Sequence, residues 1–250
     1  MQIRWALTFA VAVVAPLSGG HAQVAPIDGW GWSILIPSVS QTDILGTQLR
    51  DQRARDAQRS SSTPSAPATA KVQPNPAALR FAPSRARREV NFASFLAQSK
   101  SRDPAGARSL EEIFSGGDVI ERILPVLAAY GLRVDNVADA YTTWWINAWL
   151  VSHRRSDTPD KAVFAAVRAQ AAAALSSTPE LTSANDAAKQ KFAEALLVQS
   201  VLLDAAMEQS KGDPARLGPL ADAAAQGGRG MGLDLTSMDL TPTGFVTARR

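Results

Sequence analysis

Two carboxylates on predicted helices are the side chains of this sequence best suited to catalysis. Asp139 falls in the first turn of an aromatic-rich helix, and Glu194 lies mid-helix between Phe192 and Leu196, on or near the buried side. Paired carboxylates in a cleft can act as general acid and base on a glycan. The structural alternative, which we favour, is that Asp139 stabilises its helix N-terminus and that a buried Glu194 is held by a partner.

Three polar residues, two on the preceding predicted helix and one on the helix of Glu194 itself, are candidates for that partner or for ligand binding. Arg168 and Gln170 belong to a helix that begins near Asp160, and Gln190 lies one turn before Glu194. An ion pair between Glu194 and Arg168, or a network of Gln and Asn side chains, would satisfy a buried charge.

Other chemistries are absent from the sequence. Without cysteine there is no disulfide, thiolate zinc site or thiol nucleophile. His153 is the single histidine outside the predicted signal peptide, which excludes a paired-His zinc site. The glycine-rich run 227–232 lacks the Lys-Ser/Thr of a phosphate loop and predicts a helix end. We predict no cofactor and no metal. A non-enzymatic role is favoured, and the sequence leaves catalytic activity open.

The predicted helix 136–153 must position many of the candidate residues. Three Trp and one Tyr fall within nine of its residues, so it is apolar on more than one face and belongs in the middle of a bundle. An aromatic ligand pocket is the alternative, since Trp and Tyr also line small-molecule sites. The candidate binding residues on this helix are Asn136, Tyr141, Trp145 and Trp149.

Capping residues and helix breakers divide residues 79–247 into six or seven helices, which predicts an all-α fold with a single helical bundle. Pro125 predicts a kink or a break in the third helix, and Gly227-Gly228 predicts the end of the seventh. The tail that follows is expected to form an extended cap over the bundle. The predicted helix starts are Ser84, Asp103-Pro104, Asp118, Asp135 or Asn136, Thr158-Pro159-Asp160, Thr182 or Ser183, and Asp213-Pro214. The first helix is expected to use Val90, Phe92, Phe95 and Leu96 as apolar positions.

Residues 1–22 are predicted to be a secretory signal peptide. Arg4 precedes the apolar run from Trp5 to Leu17, and small residues then lead to a cleavage site after Ala22. This predicts a protein of the periplasm or one that is secreted. An uncleaved membrane anchor is the alternative, although the run is short for a span. No second run of membrane length follows, so no span is expected in the mature chain.

Two segments precede the predicted bundle. Residues 23–59 are predicted to be extended and then to form a short charged helix. Packing of Trp30 and Trp32 on the domain is favoured over a partner-docking patch. Residues 60–78 are rich in Pro, Ser and Ala and predict a disordered linker. Between Arg50 and Arg108, twelve Lys/Arg stand against four Asp/Glu. A solvated linker is favoured there over a nucleic-acid surface, because no aromatic residues interleave for base stacking.

Several blocks of the chain together resemble an uncharacterised family of exported bacterial proteins with a helical domain of unknown function. They are GLRVDNVADAY from Gly131, AVRAQ, QKFAEALL and LDLTSMDLTPTGF, within about Leu79 to Val246. The resemblance implies a helical domain with a signal peptide and no established activity. The additional tryptophan content at Trp144-Trp145 departs from the pattern of that family. The polar positions that it marks are Asn136, Asp139, Arg168, Gln170, Gln190 and Glu194.

These observations predict an exported helical domain that acts as a binding or structural module of the cell envelope. Its partner would be an envelope protein, a polymer or an apolar ligand. The alternative is a carboxylate-dependent hydrolase of cell-wall glycan. Nucleic acid fits export poorly as a partner.

Overall fold

The computed structural model describes residues 75–248, which form eight α-helices followed by a β-hairpin. The predicted all-α bundle is confirmed, with the hairpin as a small addition. The helices are α1 (Arg85–Arg102), α2 (Pro104–Ser115), α3 (Val119–Ala129), α4 (Val137–Ser152), α5 (Lys161–Ser176), α6 (Pro179–Thr182), α7 (Asp186–Ser210) and α8 (Pro214–Gly230). Short 3-10 helices span Pro76–Leu79 and Leu235–Ser237, and the strands are β1 (Met238–Thr241) and β2 (Gly244–Thr247).

The predictions for the signal peptide, for residues 23–59 and for most of the linker lie outside the described residues. The linker was predicted to reach residue 78, but the folded part begins earlier. Asn75 caps the 3-10 helix Pro76–Leu79 by accepting a hydrogen bond from the Ala77 backbone N–H, and Leu79 is fully buried.

Helix α4 occupies the centre of the fold, as its apolar composition predicts. Nearly all of its residues are buried, and it packs against α5, α7 and α8, most extensively against α7. Its two threonines remain satisfied inside the core because each hydroxyl donates to a carbonyl one turn earlier. Thr142 donates to Ala138 at 2.7 Å, and Thr143 donates to Asp139 at 2.9 Å.

Side-chain caps begin most helices where the sequence predicts them. Each such cap contributes about 1 kcal/mol. The capping side chains of α1 to α5 and α8 that accept a backbone N–H are Ser84, Asp103, Asp118, Asn136, Asp160 and Asp213. The predicted start of α7 at Thr182 or Ser183 is wrong. Pro179–Thr182 forms the single turn α6 first, and Asn185 then caps α7 by accepting from the Ala188 N–H at 2.9 Å.

Two further predictions about the helices are wrong, and no break occurs at Pro125. Helix α3 continues through Pro125, which lies on its exposed side, where water can satisfy the carbonyl that proline leaves without a donor. Helix α8 continues through Gly227-Gly228 to Gly230. Gly228 serves close packing there, since a side chain at this position would lie 2.6 Å from Leu235 Cγ. Val90 is 68% exposed rather than part of the core.

The β-hairpin covers one side of α4, which confirms the predicted extended cap. Its strands are antiparallel, with Leu240 opposite Phe245. The Phe245 ring stacks on Trp145 with centroids 4.3 Å apart, and Trp149 Nε1 donates to the Met238 carbonyl at 2.8 Å. The hairpin therefore completes the core around the aromatic helix. Among residues 75–248, no helix is both long and apolar enough to cross a membrane.

Candidate functional site

Glu194 lies at the centre of a buried polar network between α1 and α7. It is 1% exposed, and both of its carboxylate oxygens accept hydrogen bonds. Arg88 Nε donates to Oε1 at 3.0 Å, Asn91 Nδ2 donates to Oε2 at 2.7 Å, and Gln190 Nε2 donates to Oε1 at 2.8 Å. A carboxylate held in this way stabilises the junction of two helices and has no free face toward a substrate.

The same network extends to the start of α1 and of α3. Arg88 Nη1 donates to Asp118 Oδ2 at 2.6 Å, and Gln190 exchanges two hydrogen bonds with the backbone of Ser84. Burial alone would lower the pKa of Arg88, but the carboxylates of Asp118 and Glu194 outweigh burial and raise it. Gln190, a candidate binding residue, thus has its amide occupied by protein.

Asp139 belongs to a separate ion pair between α4 and α5. Its side chain is fully buried, Arg168 Nε donates to Oδ1, and the Arg133 backbone N–H donates to Oδ2 at 3.0 Å. Burial raises the pKa of Asp139, and the charge of Arg168 offsets only part of that rise. The predicted ion pair of Arg168 with Glu194 is wrong, because each carboxylate has its own arginine.

The other candidate residues are also occupied by structural contacts. Gln170 holds β2 in place: its Nε2 donates to the Phe245 carbonyl at 2.8 Å, and its Oε1 accepts from the Phe245 N–H at 2.8 Å. Gly244, at φ +102°, permits this approach, since a Cβ there would lie 2.4 Å from Gln170 Oε1. Tyr141 meets Trp145 edge to face, and Asn136 caps α4. Within the described residues, no three His, Cys, Asp or Glu side chains converge as a metal site would require.

A cleft of about 560 Å³ lies between α3, α4, α7 and the loop that leads into α5. One wall is aromatic, with the rings of Tyr130 and Phe164 tilted at 44° and their centroids 4.4 Å apart. Asn147 and Asp204 contribute polar groups from α4 and α7. Neither Asp139 nor Glu194 lines the cleft, so it is distinct from the two buried networks.

The charged groups at the cleft are largely paired, with Asp204 as the exception. Arg155 makes a bidentate pair with Asp157 at 2.8 and 2.5 Å, and Lys211 lies 3.5 Å from Glu208. Asp204 accepts no hydrogen bond and forms no ion pair with any residue from 75 to 248. Burial, and to a lesser degree the charge of Glu208, raises the pKa of Asp204 to about 7.

Replacing Asp204 by asparagine should stabilise the protein at alkaline pH. An acid whose pKa is higher in the folded state than in the unfolded state destabilises the fold as it ionises. Stability is therefore lost as the pH rises from about 4 through about 7, and it stays lost above. A change from 3.8 to about 7 corresponds to about 4 kcal/mol, which solvent access at the cleft reduces to about 2 kcal/mol. Urea unfolding at pH 8 should show this gain, and unfolding at pH 4 should not.

Asp222→Asn is the matched control, because Asp222 is an exposed aspartate on α8. Its free energy of unfolding should differ little from that of the wild type at either pH. Equal stability of D204N and the wild type at pH 8 would contradict the raised pKa.

Sequence reasoning missed this cleft. The available signal was the position of Asp204 itself, which directly follows the buried residues Leu202 and Leu203 and precedes Ala206 and Met207. A carboxylate inside such an apolar run indicates a charge near the core. No local pattern indicates that α3 and the loop before α5 leave space in front of Asp204, because that space depends on tertiary packing.

Fold and site together define a helical domain, closed by a β-hairpin, with an aromatic and acidic cleft between α3, α4 and α7. The chain belongs to DUF6683, a family of unknown function whose profile matches residues 5–248. This confirms the resemblance to an uncharacterised family, and the match begins far upstream of Leu79. No protein of curated function and no solved structure gives a significant match.

Proposed function

We propose that this protein is an exported binding module of the cell envelope that holds a ligand in the cleft between α3, α4 and α7. The observation that carries the proposal is the contrast between the two kinds of polar site. Glu194 and Asp139 are buried and fully partnered, whereas Asp204 faces a cleft with no protein partner in the described chain. Most buried polar groups have a partner in the protein, so an unpartnered carboxylate that lines a cleft is a candidate contact for a ligand.

The dimensions of the cleft support small-molecule binding, or binding of one residue of a larger polymer. Ligand sites usually enclose about 300 to 1,000 Å³ and combine apolar walls with a few polar groups. This cleft has a volume of about 560 Å³, with Tyr130 and Phe164 on one wall and Asn147 and Asp204 among its polar groups.

Hydrolysis of a glycan finds no support in the two carboxylates that suggested it. A glycosidase needs two carboxyl groups facing the same sugar across a cleft. Asp139 and Glu194 are each enclosed with an arginine, in separate networks. We therefore favour binding over hydrolysis.

Export rests on the N-terminal segment. Arg4, the apolar run that follows and the small residues up to Ala22 have the three-part pattern of a cleavable signal. The family match begins at residue 5 and includes most of this segment, as expected if relatives share a leader. The test is N-terminal sequencing of protein recovered from the periplasm or the medium, which should begin at Gln23. A chain that begins at Met1 in the membrane fraction would contradict cleavage.

Filling the cleft tests the binding proposal. Val126 lines the cleft, so Val126→Trp should abolish saturable binding of the labelled protein to isolated envelopes of its own host. Val90→Trp is the control, because Val90 is exposed on α1 and a new indole there leaves the cleft open. If V126W binds envelopes with wild-type affinity, the cleft is not the binding surface.

A further inference from the structure

We infer that the ligand of the cleft carries an ammonium group, which Asp204 holds, attached to an apolar or planar body that lies against Tyr130 and Phe164. This inference deepens the proposed function and rests on it. The ligand class is thus a primary amine with an apolar portion, such as an amine-bearing side chain of an envelope polymer.

The first step is the charge balance of the cleft. Its acidic groups outnumber its cations by four to two. Arg155 is taken by Asp157 and Lys211 by Glu208, while Asp160 accepts the Val163 N–H as the cap of α5. Pairing within the cleft therefore leaves Asp204 without a cation. The ionisable groups that line the cleft are Tyr130, Arg155, Asp157, Asp160, Asp204, Glu208 and Lys211.

The second step compares Asp204 with the other carboxylates that are at least partly buried in residues 75–248. Each of four pairs with an arginine: Glu194, Asp139, Asp118 and Asp135. Asp186, Asp103 and Asp213 each accept a backbone N–H. Since a carboxylate removed from water requires donors, a cationic donor from a ligand is the group that complements Asp204.

The third step is the body of the ligand. The Tyr130 and Phe164 rings lie in contact at one wall, and Leu127, Leu150 and Met207 add apolar surface. Such a wall binds an apolar or planar group, and an aromatic face also attracts a neighbouring cation. An anionic ligand would meet the excess of carboxylates and is disfavoured.

Proton linkage gives this inference a specific signature. The pKa of Asp204 is about 7, and a cation binds the ionised form of this side chain. Molecules in which Asp204 is still protonated must therefore release a proton when the cation binds. The ionised fraction rises about tenfold between pH 6 and pH 8, so affinity for an ammonium probe should rise by about that factor. A neutral probe of the same shape should show no such rise.

The test is isothermal titration calorimetry of the purified protein, expressed from its full-length sequence, with three probes of similar size. They are 2-phenylethylammonium, its neutral counterpart 2-phenylethanol, and phenylacetate. At pH 8 the ammonium probe should bind at least tenfold more tightly than the alcohol, and phenylacetate should bind most weakly. Asp204→Asn should remove the preference for the cation, while the exposed Asp222→Asn should keep it.

Each outcome decides the inference. Equal binding of the ammonium and alcohol probes, or a cation preference that persists in D204N, would overturn ammonium recognition. The proposed function would be unaffected, because envelope binding by V126W tests it separately. Absence of binding by all three probes would also overturn ammonium recognition, and V126W would then decide the proposed function independently. Thermal unfolding of D204N, expected to be no easier than that of the wild type at pH 8, separates loss of binding from loss of fold.

Discussion

Replacing Arg88 by methionine should lower the free energy of unfolding by about 3–5 kcal/mol. The substitution leaves Glu194 buried without its cation, while Asn91 and Gln190 supply only neutral donors. It also removes the arginine that joins α1 to Asp118 at the start of α3. Urea unfolding followed by far-UV circular dichroism measures the loss.

Two further variants test the cause of that loss. Arg85→Met is the control on the same helix: Arg85 is 73% exposed and lies 3.6 Å from Glu89, so its loss should cost less than about 1 kcal/mol. The double variant R88M/E194M should recover part of the stability, because it also removes the buried carboxylate that R88M leaves without a cation. A loss of similar size in R85M and R88M would contradict the buried network as the cause.

Replacing Phe245 by alanine should cost about 3–5 kcal/mol in unfolding free energy. Phe245 is fully buried, stacks on Trp145 and meets Trp149 edge to face, so alanine leaves a cavity beside two indoles. The loss should appear in chemical denaturation, together with a weaker near-UV circular dichroism signal from tryptophan.

Val246→Ala is the matched control in the same strand. Val246 is only partly buried and lies opposite the exposed Asp239, so its truncation should cost about 1 kcal/mol or less. If F245A unfolds at the same urea concentration as V246A, the hairpin is not part of the core.

The sequence predicts elements well where the determinants are local. Asp103-Pro104, Asp118 and Asp213 begin helices as expected, because a side chain that accepts a nearby N–H acts within one turn. The position of α4 at the centre also followed from composition, since a helix that is apolar on every side has no face for solvent.

Features that depend on distant partners were not predictable in the same way. Gly228 reads locally as a helix end, and its packing against Leu235 is a tertiary contact. Glu194 signals that it needs a partner but not which one, and Arg88 lies 106 residues away in the sequence. The cleft at Asp204 is a space between four segments, which no local pattern encodes.

The stacking of Trp145 on Phe245 joins positions 100 residues apart. During synthesis, α4 is therefore made well before the ring that covers it. At synthesis rates of roughly 5–20 residues per second, α4 emerges roughly 5–20 s before the ring that covers it. Its indoles stay open to chaperones and proteases for that interval. A truncated chain that ends before β2 would leave the apolar surface of α4 permanently exposed. Such fragments should be degraded rapidly by cellular proteases.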